Sequence, residues 1–277
     1  MPRIVPTVLT MRDIRKLCGT ASAAACAQSC LSSALRPAMD FSLAGQELRF
    51  FLDNGQALTY RFDRQQLAWS SGGAFHEEYA ECFSAGREGL YFVHHMKTDA
   101  VPYSAATLVI DLPHASVTYV DMTLGTVKSN RDVQRTVRFG TIGGAAACAH
   151  ALTDELTGVV IDWMFAEDAI IHQMYENWSC CAFVSPPPAA APEWSGFFLT
   201  FNPTKYVKVQ DRLYLISFCA PGSTGAEADM LMDLNAMTCV GSFFGIDYQD
   251  ALRSYTFGGR GAYAEPAFIG RYTVESV

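Results

Sequence analysis

Downstream of residue 37, apolar and polar positions alternate with a period of two, in short runs divided by Gly, Pro, Asn or Asp. Leu48, Phe50 and Leu52 interleave with Glu47, Arg49 and Phe51. Leu58, Tyr60 and Phe62 then interleave with Thr59, Arg61 and Asp63, and Asp53-Asn54-Gly55 between the two runs has tight-turn chemistry. Runs at 78–83, 90–96, 107–112 and 116–120 continue the series. Strands this short and closely spaced form an antiparallel meander, and closing it into an up-and-down barrel removes its edges. Residues 126–150 break the pattern: 131–138 is polar, and Gly143-Gly144 leads into an Ala-rich stretch that reads as a short helix. Alternation resumes at 159–163, with Glu167-Asp168 as the next turn. It continues through strands at 170–175, 179–184, 200–209, 213–218, 229–234 and 238–244. The run from Pro186 to Pro192 reads as loop, because proline cannot donate to a central ladder. Upstream, 11–35 reads as a helix.

The second series echoes the first. Leu90-Tyr91 returns as Leu213-Tyr214, 123 positions on, and Asp111-Leu112 returns as Asp233-Leu234, 122 on. Gly125 returns as Gly245 after 120, and Leu43-Ala44-Gly45 as Leu156-Thr157-Gly158 after 113. A near-constant shift over several landmarks signals an internal duplication, one barrel per copy. The change in shift falls on the Pro-rich loop, where an insertion is best tolerated. The expected division is a helical arm over 1–40, a first barrel over 41–130, and a linker with the second barrel over 131–277.

Composition narrows the functional classes. The chain is 50% hydrophobic and 17% charged, enough apolar residues for a large core. A net charge of −8, with no Lys/Arg cluster longer than a dipeptide, argues against nucleic-acid and anionic-membrane partners. There is no apolar run of about 18 residues to span a bilayer, nor a compact leucine-rich core near the start to act as a secretory signal. A cytoplasmic protein is expected. Nine unevenly spaced cysteines (Cys18, Cys26, Cys30, Cys82, Cys148, Cys180, Cys181, Cys219, Cys239) read as free thiols rather than a disulfide framework. Phe257-Gly258-Gly259-Arg260-Gly261 is not a Walker loop, and no Gly-x-Ser-x-Gly elbow or metal-ligand spacing occurs, so neither cofactor nor metal is expected.

From about residue 40 the chain resembles the molybdenum cofactor biosynthesis protein F (MoaF) family. The N-terminal part is similar at Leu43-Ala44-Gly45, Leu58 to Phe62, Glu78-Tyr79, Leu90-Tyr91-Phe92 and Leu108 to Leu112. The C-terminal part is similar at Leu156 to Trp163, Ile171-His172, Tyr175, Tyr206, Leu213-Tyr214, Met232-Asp233-Leu234 and Gly241 to Gly245. The resemblance implies an all-β fold of two tandem lipocalin-like (calycin) up-and-down barrels, here behind a short N-terminal helical arm. It carries over no catalytic residue set.

A barrel of that kind can hold one small ligand, so polar side chains on inward faces are the candidates. Glu78, His94 and His95 are the densest titratable group of the first copy, and Tyr60, Arg61 and Tyr91 are candidate substrate contacts. Adjacent histidines on a strand point to opposite faces, so only one of the two can line an interior. In the second copy His172, oriented by Asp162, is the candidate base, with Trp163, Tyr175, Tyr206 and Tyr214 as candidate contacts. A Glu–His pair in an apolar barrel points to acid–base chemistry on a small apolar or aromatic molecule, as a lyase, isomerase or cyclase. The alternatives are a carrier that leaves its ligand unchanged and an accessory protein of molybdenum cofactor metabolism. Homo-oligomerisation stays open. At the repeat shift, His94-His95 becomes Ser217-Phe218, which points first to the first barrel as the active one, with His172 as the competing indication for the second.

Overall fold

Two closed antiparallel barrels follow one another along the chain. The computed structural model describes residues 35–264 apart from 99, 127–128, 130, 167–168, 186–197, 221–224 and 247–250. Residues 11–34 of the expected helix, the Glu167-Asp168 turn, the Pro-rich loop and Cys18, Cys26 and Cys30 lie outside these. No helix of the described residues is long and apolar enough to cross a membrane. Their six cysteines (Cys82, Cys148, Cys180, Cys181, Cys219 and Cys239) are free thiols.

Barrel 1 runs β1 (Glu47–Leu52), β2 (Ala57–Phe62), β3 (Gln66–Ser70), β4 (His76–Ser84), β5 (Leu90–Lys97), β6 (Ser104–Asp111), β7 (Ser116–Leu124) and β8 (Val133–Ile142). Each strand pairs with the next, and β8 closes onto β1. After the two-residue β9 (Ala151–Leu152), barrel 2 runs β10 (Val160–Ala166), β11 (Ala169–Asn177), β12 (Cys180–Ser185), β13 (Phe198–Gln210), β14 (Leu213–Ala220), β15 (Ala226–Asp233), β16 (Thr238–Ile246) and β17 (Leu252–Tyr263). It closes through β10 and β17, with β12 paired to β13 and β9 added to β13 from outside. From Val133 on, the polar stretch 131–138, expected in the linker, lies in the strand that completes barrel 1. Gln134, Thr136 and Arg138 alternate with Val133, Arg135, Val137 and Phe139, and this second face packs on the neighbouring barrel, where Arg135 meets Glu227. The Ala-rich stretch behind it forms no helix.

The repeat is a repeat of closures. Gly45 and Gly158 take φ of 82° and 83°, and each amide donates to the adjacent strand, to the Phe62 and Tyr175 carbonyls, both at 2.8 Å. Leu43 and Leu156 are buried beneath the two turns. Likewise the Leu112 and Leu234 amides donate to the Gly89 and Arg212 carbonyls, both at 2.9 Å. Asp111 and Asp233 accept from the amides of the turns that follow them.

The barrels pack side by side through equivalent strands. Phe92, Val109 and Val120 of barrel 1 share one apolar cluster with their repeat counterparts Leu215, Leu231 and Val240 of barrel 2. This seam also holds polar groups. Thr107 Oγ1 lies 2.9 Å from Ser242 Oγ, Arg87 pairs with Asp233 at 2.9 Å, and Arg135 pairs with Glu227. Burial pushes Glu227 up to about 8, against the pull of Arg135, and also raises Asp229. The outer faces of β5, β6, β14, β15 and β16 are therefore buried, so these strands are covered on both sides.

Candidate functional site

One end of barrel 1 gathers the inward polar groups. Tyr60 on β2 faces Trp69 on β3 across the ladder, and Ala80 on β4 faces His95 on β5. Two residues beyond His95, on the same face, stands Lys97; Tyr119 and Asp121 share the inward face of β7 with Val117. Apolar side chains such as Phe50, Leu58, Phe62, Val93 and Leu108 form the rest of the interior.

Tyr60 and His95 form the centre of this group. The Tyr60 hydroxyl lies 3.2 Å from His95 Nε2, with the rings edge to face at 5.7 Å between centroids. His95 Nδ1 lies 3.0 Å from the Met96 carbonyl, which can only accept. Nδ1 therefore carries the proton and donates, and Nε2 accepts from Tyr60. Burial pushes His95 down to about 4, a depression that Lys97 adds to and the Met96 bond opposes, so the ring is neutral at physiological pH. Burial also raises the Tyr60 and Tyr119 phenols well above their ordinary value, and Tyr119 reaches both Tyr60 and Asp121. Lys97 Nζ binds Asp121 Oδ1 at 2.5 Å and lies 5.1 Å and 5.6 Å from the ring centroids of Trp69 and Tyr119, so two aromatic faces and one carboxylate hold the ammonium.

The other candidates of the first copy go elsewhere. His94 points out of the barrel into the seam, where Nε2 meets Ser254 Oγ of barrel 2 at 2.8 Å and Nδ1 meets Thr107 Oγ1 at 3.1 Å. Burial pushes it down to about 3, with His95 adding to the shift. Glu78 is buried at the same end as His95, but its carboxylate accepts from the Thr98 amide at 3.0 and 3.1 Å and from the Thr98 hydroxyl at 2.7 Å. It fixes the segment that leaves β5. Tyr91 is inward yet four residues from His95, about 13 Å along the strand, where its hydroxyl accepts from Ser42 Oγ at 2.9 Å. Arg61 is on the outside, paired with Glu47 at 2.7 Å and stacked over Phe75.

Barrel 2 separates its candidates the same way. His172 and Asp162 do meet, Nδ1 to Oδ1 at 2.5 Å, but they face each other on the outer side of β10 and β11. Trp163, Tyr175 and Tyr206 are in the interior: Trp163 Nε1 donates to the Tyr175 hydroxyl at 3.2 Å, that hydroxyl donates to Gln173 Oε1 at 3.2 Å, and Tyr206 donates to the Cys180 carbonyl at 2.6 Å. Tyr214 donates to Glu155 Oε2 at 2.7 Å. These phenols are spent on protein acceptors, and the interior contains no histidine among the described residues. Neither barrel brings three His, Cys, Asp or Glu side chains together as metal ligands among the described residues.

Trp69, Lys97, Tyr119 and Asp121 were not among the candidates read from the sequence. The available signal was parity: Lys97 has the parity of His95, and Tyr119 and Asp121 that of Val117.

Fold and site together define a tandem β-barrel protein with a histidine–phenol pair inside its first barrel. Residues 30–126 match the family model described as the MoaF N-terminal domain, so the resemblance is borne out over most of barrel 1. The match ends at β7; for the second copy it is the barrel fold that agrees with the resemblance. No curated protein matches the chain.

Proposed function

We propose that the Tyr60–His95 end of barrel 1 carries out cofactor-independent acid–base chemistry on a small apolar or aromatic molecule, in the isomerase, lyase or cyclase class. The observation that carries this reading is the contact between a phenol donor and a neutral imidazole acceptor, held with Lys97, Tyr119 and Asp121 at one end of a barrel whose remaining interior is apolar. A proton taken up by the Tyr60 oxygen from a bound molecule can be balanced by the Tyr60 proton passing to His95 Nε2. His95 Nδ1–H stays on the Met96 carbonyl throughout, which fixes the ring and its tautomer. The same pair run backwards returns the proton at a different atom, which is an isomerisation.

The test is proton exchange. In D2O, wild-type protein is expected to speed deuterium uptake into small carbonyl compounds at carbons next to the carbonyl, followed by NMR. Recovery of an unaltered bound molecule, with no exchange into any compound offered, would instead mark a carrier.

The MoaF match favours a second reading, a barrel protein that serves molybdenum cofactor metabolism. It predicts affinity for pterins, and failure to bind any pterin would remove it. The charge of −8 gives no help in holding an anionic pterin phosphate.

A further inference from the structure

The indole Nε1 of Trp69 is buried at the same barrel end and has no acceptor among the described residues. A buried donor without a partner is destabilising, and the polar groups beside it among the described residues are engaged. Tyr60 is on His95, Glu78 on Thr98 and Lys97 on Asp121. Trp69 is also rigidly placed: its ring stacks on His76 at 4.9 Å between centroids, packs on the barrel 1 core, has Lys97 over its face and lies 6.4 Å from the His95 ring.

The charges around it sort the acceptors it can meet. Lys97 is the cation of this group, and it stands against two carboxylates, Asp121 and Glu78, while His95 is neutral. An anionic ligand would meet an excess of negative charge in a poorly screened place. A neutral oxygen acceptor would not.

We infer that barrel 1 takes a neutral carbonyl compound, its oxygen accepting from Trp69 Nε1 beside the Lys97 ammonium. This rests on the acid–base reading of the same site and supplies its substrate class. The reaction balances as an enolisation. The C–H bond next to the carbonyl breaks, its proton goes to Tyr60 oxygen, and the Tyr60 proton goes to His95 Nε2. The C–H electron pair becomes the new C=C bond as the C=O π pair moves onto oxygen. Trp69 Nε1–H and the Lys97 charge then meet that oxygen as it becomes negative, where such groups act most strongly.

Three probes of similar size test it by NMR titration: acetophenone, α-methylstyrene (the same skeleton with CH2 in place of the carbonyl oxygen) and benzoate. Wild-type protein is expected to prefer acetophenone to α-methylstyrene by roughly five- to tenfold in Kd, the size of one neutral hydrogen bond, and to bind benzoate more weakly still. Trp69→Phe keeps a ring and removes the donor, and is expected to abolish the preference while still binding α-methylstyrene. Binding of neither neutral probe, a preference that survives Trp69→Phe, or benzoate binding more tightly than acetophenone would each overturn the inference. A Trp69-dependent preference without deuterium uptake supports the carbonyl site and sinks the acid–base reading; His95-dependent uptake with no Trp69 effect does the reverse.

Discussion

Replacing His95 with glutamine is expected to lower deuterium exchange into a bound carbonyl compound by roughly 10²- to 10⁴-fold, the range for losing one positioned acid–base group. The same change at His94 is expected to leave exchange near the wild-type rate. The two residues are adjacent in sequence and similarly buried, so bulk packing does not distinguish them. Their faces do: His95 Nε2 meets Tyr60 inside barrel 1, and His94 Nε2 meets Ser254 in the seam. His94→Gln should therefore register in thermal stability and not in turnover. The acid limb separates the roles further. His95 has its folded pKa pushed to about 4, so the neutral acceptor persists well below the ordinary histidine range. Exchange should hold from neutrality down toward pH 4. An acid limb centred near 6.5, the unperturbed histidine value, would mean that the working base is a more ordinary histidine elsewhere.

Arg135→Ala is expected to destabilise the protein by about 3 kcal/mol at alkaline pH and by about 1 kcal/mol near pH 5, measured as denaturant unfolding at both values. Glu227 is fully buried in the seam with Arg135 as its cationic neighbour, and burial raises its folded pKa to about 8. A raised carboxyl pKa contributes stability that is present below the unfolded value, near 4.5, and is lost as pH rises through the folded value. Near pH 5 the variant therefore loses a hydrogen bond to a largely neutral acid. At high pH it leaves a buried carboxylate whose charge nothing else as close offsets, and the folded pKa climbs further. His94 and His95 act in the opposite sense. Their depressed values contribute stability that is present above pH 6.5 and is lost as pH falls toward 4 and 3. Both proteins carry that loss, so it cancels in the difference. A penalty equal at the two pH values, or larger at pH 5, would show that Glu227 is not the group Arg135 serves.

The architecture was legible because duplicated turns have few chemical solutions. Leu43-Ala44-Gly45 and Leu156-Thr157-Gly158 both need a positive-φ glycine after a buried leucine, and the Asp-Leu pairs both cap a strand end. The face of each histidine was not legible. Along β5, residues 90–95 are buried on both sides, one side by the barrel interior and the other by the second barrel, so hydrophobic alternation carries no sign. His172 is likewise buried although it lies on the outer face of barrel 2, so its burial alone does not place it in the interior. β8 was obscured because Arg131, Arg135 and Arg138 suggest a solvated linker, whereas Arg135 is committed to the seam. Lys97 was passed over for a related reason. A lysine at a strand end reads as solvent-facing, but here its stem runs along aromatic faces and only 12% of its side chain is exposed.

A crystal structure of the wild-type protein with acetophenone bound tests the central claim most directly. The expected result is the ketone inside barrel 1, its oxygen within about 3.2 Å of Trp69 Nε1 and its methyl carbon facing the Tyr60 hydroxyl. Acetophenone held instead in barrel 2 among Trp163, Tyr175 and Gln173, with the Tyr60–His95 end unchanged, would contradict the account.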